Sequence, residues 1–562
     1  MSEKKKNLFF IVLIGVFVFA VVYGGITLTR NFGKSQVVIT TERAMQNLDN
    51  LMQDIRVNTI EPRKIPVSLE PSRIEDTLPD ISNYPIRVYN STQDYIEIFS
   101  SPEKAGENTD SWLIEVAEAF NNAGIEINGK GISVKIREIA SGTGTDYIIS
   151  GKYLPDAFTP SNDLWGKMIE SSGQNITLVE ERLVGNVAGV LFSRKKHDEL
   201  INKYGAINQR VITEAVETDQ LAMGYTNPFA SSTGLNFLLS TLNTFDERDI
   251  LSDRAVDGFE RFQANIPFVA YTTMQMRGAA SSGALDGFVM EYQTYTNSRN
   301  LRSDYVFTAF GLRHDNPLYQ IGDLSPMKKE ILDKFTEFCK KDKYQELASR
   351  YGFNMLDEYV PEMNSVDGDT ILQAQRLWKE KKDSNQEIIS VFVADISGSM
   401  DGEPLNRLKE SLLVASEFIG DDNSIGLVTF SSNVNINLPI AKFDINQRSY
   451  FTGAVTDMQA GGMTAMFDGI VVATRMLMEE KEKNPDAKLM LFVLGDGETN
   501  RGHSFNDVEG ILEALNIPIY TIGYNADIKI LQNLSEINEA ATINAESDDV
   551  VYQLRNLFNA QM

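Results

Sequence analysis

Residues 388–400 read IISVFVADISGSM, and this stretch decides the fold of the C-terminal part of the chain. Ile388 to Ala394 form a nearly unbroken apolar run, the pattern of a strand covered on both faces in a parallel sheet. The run ends at Asp395. Alternate residues Ser397 and Ser399 then line one side of a turn leading into LNRLKESLLVASEFI, an amphipathic helix pattern. Thr464 follows in AGGMTAM, and Asp496 stands in LFVLGDGET at the end of a second apolar run. Asp395, Ser397, Ser399, Thr464 and Asp496 supply only carboxylate and hydroxyl oxygens, a hard donor set that suits Mg²⁺, Mn²⁺ or Ca²⁺ and not zinc or copper. No nucleophile–base pair accompanies them, so the pattern indicates binding and not an enzyme.

Around these motifs strands and helices alternate from Gln386 to the end of the sequence. SIGLVTFSS and VNINLPIAKF read as a hairpin, MFDGIVVATRMLMEEKE as a helix, IPIYTIGYN as a strand, ATINAE as an edge strand and DDVVYQLRNLFN as a closing helix. With Asp395-x-Ser397-x-Ser399, Thr464 and Asp496-Gly497 in this order, residues 386–562 closely resemble a von Willebrand factor type A (VWA) domain. The resemblance implies an α/β fold with a Rossmann-like, doubly wound, mostly parallel sheet. It also implies a metal-ion-dependent adhesion site in which the five residues hold Mg²⁺ (or Mn²⁺/Ca²⁺), with an open position for an Asp or Glu carboxylate of a protein partner. The chain departs from the family at Gly495, where members often carry Thr or Ser. Asp468 is expected at a helix N-terminus or as a partner of the ligands, and Glu498 facing solvent.

From about Tyr84 to Val360 a βαβ rhythm recurs, implying a parallel sheet with helices on its faces. YIEIFSSPEK, PDAFTPSNDLW, VGNVAGVLFSR, NPFASSTGLNFLL and ALDGFVMEY together resemble periplasmic-type solute-binding proteins, especially the sulfate/molybdate-like group. That family implies two α/β lobes around a cleft, with strands crossing between them near 184–193 and 285–295. Turns matching the cleft carry Ser101, Ser141, Thr143, Ser161, Asn227, Ser232, Thr233 and Glu291, the candidate residues for a small-molecule solute. Each of these, Glu291 apart, is equally an ordinary helix cap or turn former. Carboxylates of Asp163 and Glu291 in such a cleft disfavour a simple oxyanion.

Lys4, Lys5 and Lys6 precede an apolar run from Leu8 to Leu28, closed by Arg30. Roughly 20 residues at about 1.5 Å each span a hydrocarbon core of about 30 Å. The expectation is one transmembrane helix in a cell membrane, N-terminus inside, with the bulk of the chain extracytoplasmic. A cleaved signal peptide is the rival, but apolar sequence continues through VVYGGITL past the possible cleavage site. The expected organisation is 1–30 cytoplasmic tip and anchor, 31–83 stalk, 84–360 two-lobed domain, 361–385 linker and 386–562 VWA domain. In the stalk, Met45, Leu48, Leu51 and Met52 fall at helical spacing as a packing face, and Pro62, Pro66, Pro71 and Pro79 rule out a long helix.

The 562 residues carry 52 Lys and Arg against 78 Asp and Glu, a net charge of −26, which excludes a general nucleic-acid binder. Cys339 is a lone thiol, and His197, His314 and His503 are scattered, so neither disulfides nor a zinc site are expected. Absence of disulfides in an extracytoplasmic body fits a bacterial source. Two functions follow: a surface-anchored protein engaging a protein partner through the cation while its middle domain binds or senses a small ligand; or a receptor for a transport system whose VWA domain docks a partner subunit.

Overall fold

Every residue of the strand Ile388–Asp395 is buried, and its two faces serve different cores. Ile388, Phe392 and Ala394 join a core with Leu408 and Leu412 of helix Glu403–Ala415 and with Leu554, Leu557 and Phe558 of the last helix, Val550–Gln561. Ile389, Val391 and Val393 belong to the opposite core, with Ile470 and Leu477 of helix Met466–Lys483 and Val508 and Ile511 of helix Phe505–Leu515. The strand is central in a seven-stranded sheet ordered Val57–Thr59, Val434–Lys442, Ser424–Phe430, Ile388–Asp395, Lys488–Gly495, Ile519–Gly523, Thr542–Asn544. Pairing is parallel except in the hairpin Ser424–Phe430/Val434–Lys442. Phe392 stacks on Phe492 at 4.9 Å and Phe492 on Tyr520 at 5.1 Å. Each such ring stabilises the fold by roughly 1.5–3 kcal/mol through burial.

The computed structural model describes residues 39–67, 77–266, 268–270, 276, 285–382, 386–524, 528–537, 542–544 and 550–562. The apolar run Leu8–Leu28, expected as an anchor, lies outside them. Among the described residues no helix is long and apolar enough to cross a membrane.

The expected stalk is corrected over residues 39–67, which complete the C-terminal sheet and its core. Thr40 caps helix Thr41–Asp54, and Ala44 and Leu48 are buried in the same core as Ile470 and Val508. Val57–Thr59 then pairs parallel with Val434–Ile436 as an edge strand, and Arg63 brackets the Asp457 carboxylate at 2.8–3.1 Å. The apolar stripe read from sequence is therefore a packing face whose partner lies in the last domain. A stripe alone does not say which surface it covers.

The middle unit has two lobes, each with its own sheet. The first lobe's sheet runs Ile86–Val88, Lys130–Glu138, Asp94–Ser100, Ala157–Thr159, Leu318–Ile321, Ile176–Glu180; the second's runs Phe268–Ala270, Met223–Thr226, Gly287–Glu291, Val187–Ser193, Tyr305–Arg313. The chain crosses at 181–186 and returns at 314–317. These segments bond each other through Asn186 N–H to His314 O and His314 N–H to Asn186 O, both 3.0 Å, and Leu183 N–H to Asn316 O at 3.2 Å. The second crossing expected at 285–295 is thus corrected. Gly287–Glu291 stays in the second lobe between Met223–Thr226 and Val187–Ser193. Its apolar run marks a strand buried on both faces, which a crossing strand resembles.

Residues 361–382 of the expected linker are likewise not free, and residues 383–385 lie outside the described residues. Helix Gly368–Lys381 packs on the lobes, with fully buried Trp378 donating its indole N–H to Tyr225 Oη at 2.6 Å and Gln375 donating to Pro228 O at 2.9 Å. At the other end Leu78 is buried and Tyr147 donates to Pro79 O at 2.6 Å. The lobed unit therefore extends over 77–382, wider at both ends than 84–360.

Candidate metal centre and ligand cleft

The carboxyl ends of Ile388–Asp395 and Lys488–Gly495 lie side by side, with Ala394 opposite Leu494, which brings Asp395 beside Gly495 and Asp496. Three loops meet there. The turn after Asp395 is bonded to the Gly461–Gly462 loop by Gly461 N–H to Ile396 O at 2.8 Å and Gly398 N–H to Gly462 O at 3.0 Å. Thr464 is held from the third loop: Asn500 Oδ1 accepts from its N–H at 2.9 Å, while its carbonyl accepts from the N–H groups of Asn500 and Arg501 at 3.0 and 3.1 Å. Asp496 Oδ1 accepts from Glu498 N–H at 3.0 Å, and the Glu498 side chain is exposed.

Asp395 is only 1% exposed. Its Oδ1 accepts from Ser397 N–H at 2.7 Å, and the Ser397 and Ser399 hydroxyls are 3.1 Å apart. Its Oδ2 is buried with no hydrogen-bond partner. Burial pushes the Asp395 carboxyl up to about 7, with the neighbouring Asp496 charge acting the same way against the bonds from Ser397. A buried carboxylate oxygen without a donor costs free energy that a cation removes. The donor set fits a hard divalent ion, and no group of three or more His, Cys, Asp or Glu able to hold a metal occurs among the described residues.

Gly495 has a local reason. A Cβ there would stand 2.7 Å from Asp395 Cβ and 2.9 Å from Asp395 Oδ2, so the Asp395 side chain occupies the space a Thr or Ser would need. Asp468, in the first turn of helix Met466–Lys483, accepts from His503 N–H at 2.9 Å and lies 2.7 Å from its Nδ1, pinning the third loop. Sequence reading missed this role of His503, because only the tertiary fold brings it to Asp468.

In the middle unit, a cavity of about 660 Å³ opens between the lobes. Six of the candidate residues line it: Ser141, Thr143, Ser161, Ser232, Thr233 and Glu291. Glu291 accepts from Thr233 at 2.9 Å and Asn186 at 3.0 Å, and His314 Nδ1 lies 2.6 Å away. The amides of Asn162 and Asn236 stand 3.1 and 3.0 Å from His314 Nε2, which assigns the proton to Nδ1. Ser101 lies beneath the cavity, its hydroxyl bonded to Lys104 and Glu103. Asn227 instead donates to Asn556 O of the last helix, Val550–Gln561, at 3.4 Å. Asp163 is corrected: it pairs with Lys167 at 3.2 Å beside a separate surface groove and does not join Glu291. Cavity residues missed from sequence include Glu103, Asp110 and, from the last helix of the C-terminal unit, Tyr552, Gln553 and Asn556. No local signal marks the last three, since the lobes they face are remote in sequence.

Residues 391–560 match the von Willebrand factor type A domain family. The C-terminal unit is a VWA domain. The inter-alpha-trypsin inhibitor heavy chain H3 of Bos taurus is 28% identical over 182 residues, covering 30% of this chain and 20% of that protein. The chain thus spans about a fifth of the length of the curated relatives it matches. Among solved structures, a von Willebrand factor type A protein from Catenulispora acidiphila is 20% identical, covering 32% of this chain and 43% of its own, at a TM-score of 0.29. A periplasmic thiamin binding protein is 12% identical, covering 52% of this chain and 99% of its own, at a TM-score of 0.39.

Proposed function

We propose that this protein is a membrane-anchored, extracytoplasmic binding protein. Its VWA domain engages a protein partner through a divalent cation, and its middle unit binds a small ligand between the lobes. The observation that carries this is Asp395 Oδ2, buried without a donor at the carboxyl end of the sheet's central strand, where the Ser397, Gly461–Thr464 and Asp496 loops meet. Asp395, Ser397, Ser399, Thr464 and Asp496 are the residues that would hold Mg²⁺, Mn²⁺ or Ca²⁺, which when bound supplies an electrophilic position for a partner's carboxylate. Ser397 N–H orients Asp395, and the Asn500 loop fixes Thr464. The lysine-flanked run Leu8–Leu28 supports the anchor, and the side chains converging between the lobes support the ligand. The same cavity also favours a second reading, a receptor that hands its solute to a transporter, with the VWA domain docking a transporter subunit.

The test is affinity capture from membranes with Mg²⁺ against EDTA, using the full chain and Asp395→Ala. A partner retained by wild type in Mg²⁺ and lost in EDTA and in the variant supports cation-mediated engagement. Equal capture in all three conditions sinks it.

A further inference from the structure

The cavity between the lobes has a third wall. Tyr552, Gln553 and Asn556 of the last VWA helix, Val550–Gln561, line it together with residues of both lobes. The helix is fastened there. Tyr552 Oη donates to Asp146 at 2.9 Å and stands 3.3 Å from Thr143 Oγ1, Arg555 donates to Thr77 at 3.1 Å and Asp146 at 3.3 Å, and Gln561 donates to Val269 O at 3.1 Å.

The charge of the lining is one-sided. Glu103, Asp110 and Glu291 contribute carboxylates, and among the described residues no Lys, Arg or His lines the cavity. The nearby Lys104 ammonium is fully buried, held by Thr159 O at 2.9 Å and Asn316 Oδ1 at 3.0 Å, and lies 3.6 Å from Glu103. It offsets one carboxylate of the three. An anionic ligand would meet net repulsion in a low-dielectric space. Dispersed carboxylates, hydroxyls from Ser141, Thr143 and Thr233, and the ring of Tyr84 suit an organic ammonium, which takes charged hydrogen bonds and ring-face contacts together, while the Tyr552 ring already carries the Arg555 guanidinium 5.2 Å from its centroid. The volume lies within the range of small-ligand sites, about 300–1,000 Å³.

We propose that this cavity binds a small organic cation, an amine or quaternary ammonium compound, and that the last VWA helix forms part of its site. The proposal rests on the reading of the cleft as a ligand site and adds the ligand's class and the third wall.

The test is calorimetry on the full chain in detergent with spermidine, choline, sulfate and phosphate as probes, with Mg²⁺ titrated separately. Spermidine or choline is expected to bind and the anions not. Asp110→Asn is expected to weaken amine binding about 10- to 100-fold, the value of a charged hydrogen bond. Gln553→Arg places a tethered cation in the cavity and is expected to abolish amine binding while leaving the Mg²⁺ titration unchanged. Binding of sulfate or phosphate and not of amines overturns the cationic class but keeps the cleft as a ligand site. Binding of no probe, with the Mg²⁺ response intact, overturns the proposal and removes its support for the cleft reading. Amine binding unmoved by Gln553→Arg overturns the helix wall, and amine binding unmoved by Asp110→Asn overturns recognition by these acids.

Discussion

At Asp395 one carboxylate oxygen is bonded and the other is buried with no hydrogen-bond partner. Divalent ion at about 100 times its dissociation constant should stabilise the VWA domain by about 2.7 kcal/mol, and Asp395→Ala should lose that response in a thermal melt with Mn²⁺. Gly495→Thr restores the residue common in the family, yet its Cβ meets the Asp395 side chain. The expected cost is about 1–3 kcal/mol in chemical denaturation, with a weaker Mn²⁺ response. In the lobes, burial draws the Lys104 ammonium down to about 8 against the pull of Glu103. Between about pH 8 and the ordinary lysine range near 10.4 the unfolded chain binds more protons, so stability rises with pH there, by on the order of 3 kcal/mol in all. Denaturant titrations at pH 8 and 10.5 should show this gain in wild type and not in Lys104→Met. The places of Asp395 and Asp496 at the ends of neighbouring strands were legible because each closes an apolar run. Lys104 was not, since a lysine after Ser-Pro-Glu reads as solvated surface until Thr159 and Asn316 close over it.

Elements were more legible than their partners. Helical spacing in ERAMQNLDNLMQDI predicted a packing face, and helix Thr41–Asp54 provides one, but the stretch was assigned to a stalk because nothing local names the VWA core as its partner. Leu48→Ala should therefore destabilise the VWA domain by about 2–5 kcal/mol, measured by its own unfolding transition; an effect confined to the lobes would contradict the packing described. The Trp378 helix taught the same lesson. The segment was expected as part of a linker, while its buried face carries the indole into the second lobe. The crossing strands misled in a different way, because a central strand and a hinge strand share one apolar signature.

For the whole molecule, the VWA domain and the lobes meet through the last helix. Asp146 is the carboxylate that both Tyr552 and Arg555 use. Asp146→Ala should loosen this contact by about 2 kcal/mol, roughly thirtyfold faster amide exchange across 550–561, with exchange in Ile388–Asp395 unchanged. Hydrogen exchange read by mass spectrometry separates the two segments. The edge strand Val57–Thr59 carries a mechanical consequence. It sits in the same sheet as Asp395, with only Val434–Lys442 and Ser424–Phe430 between them. Tension applied upstream of Thr41 and resisted at the Asp395 end would travel through that one sheet, rung by rung, and leave the two lobes hanging outside the line of force.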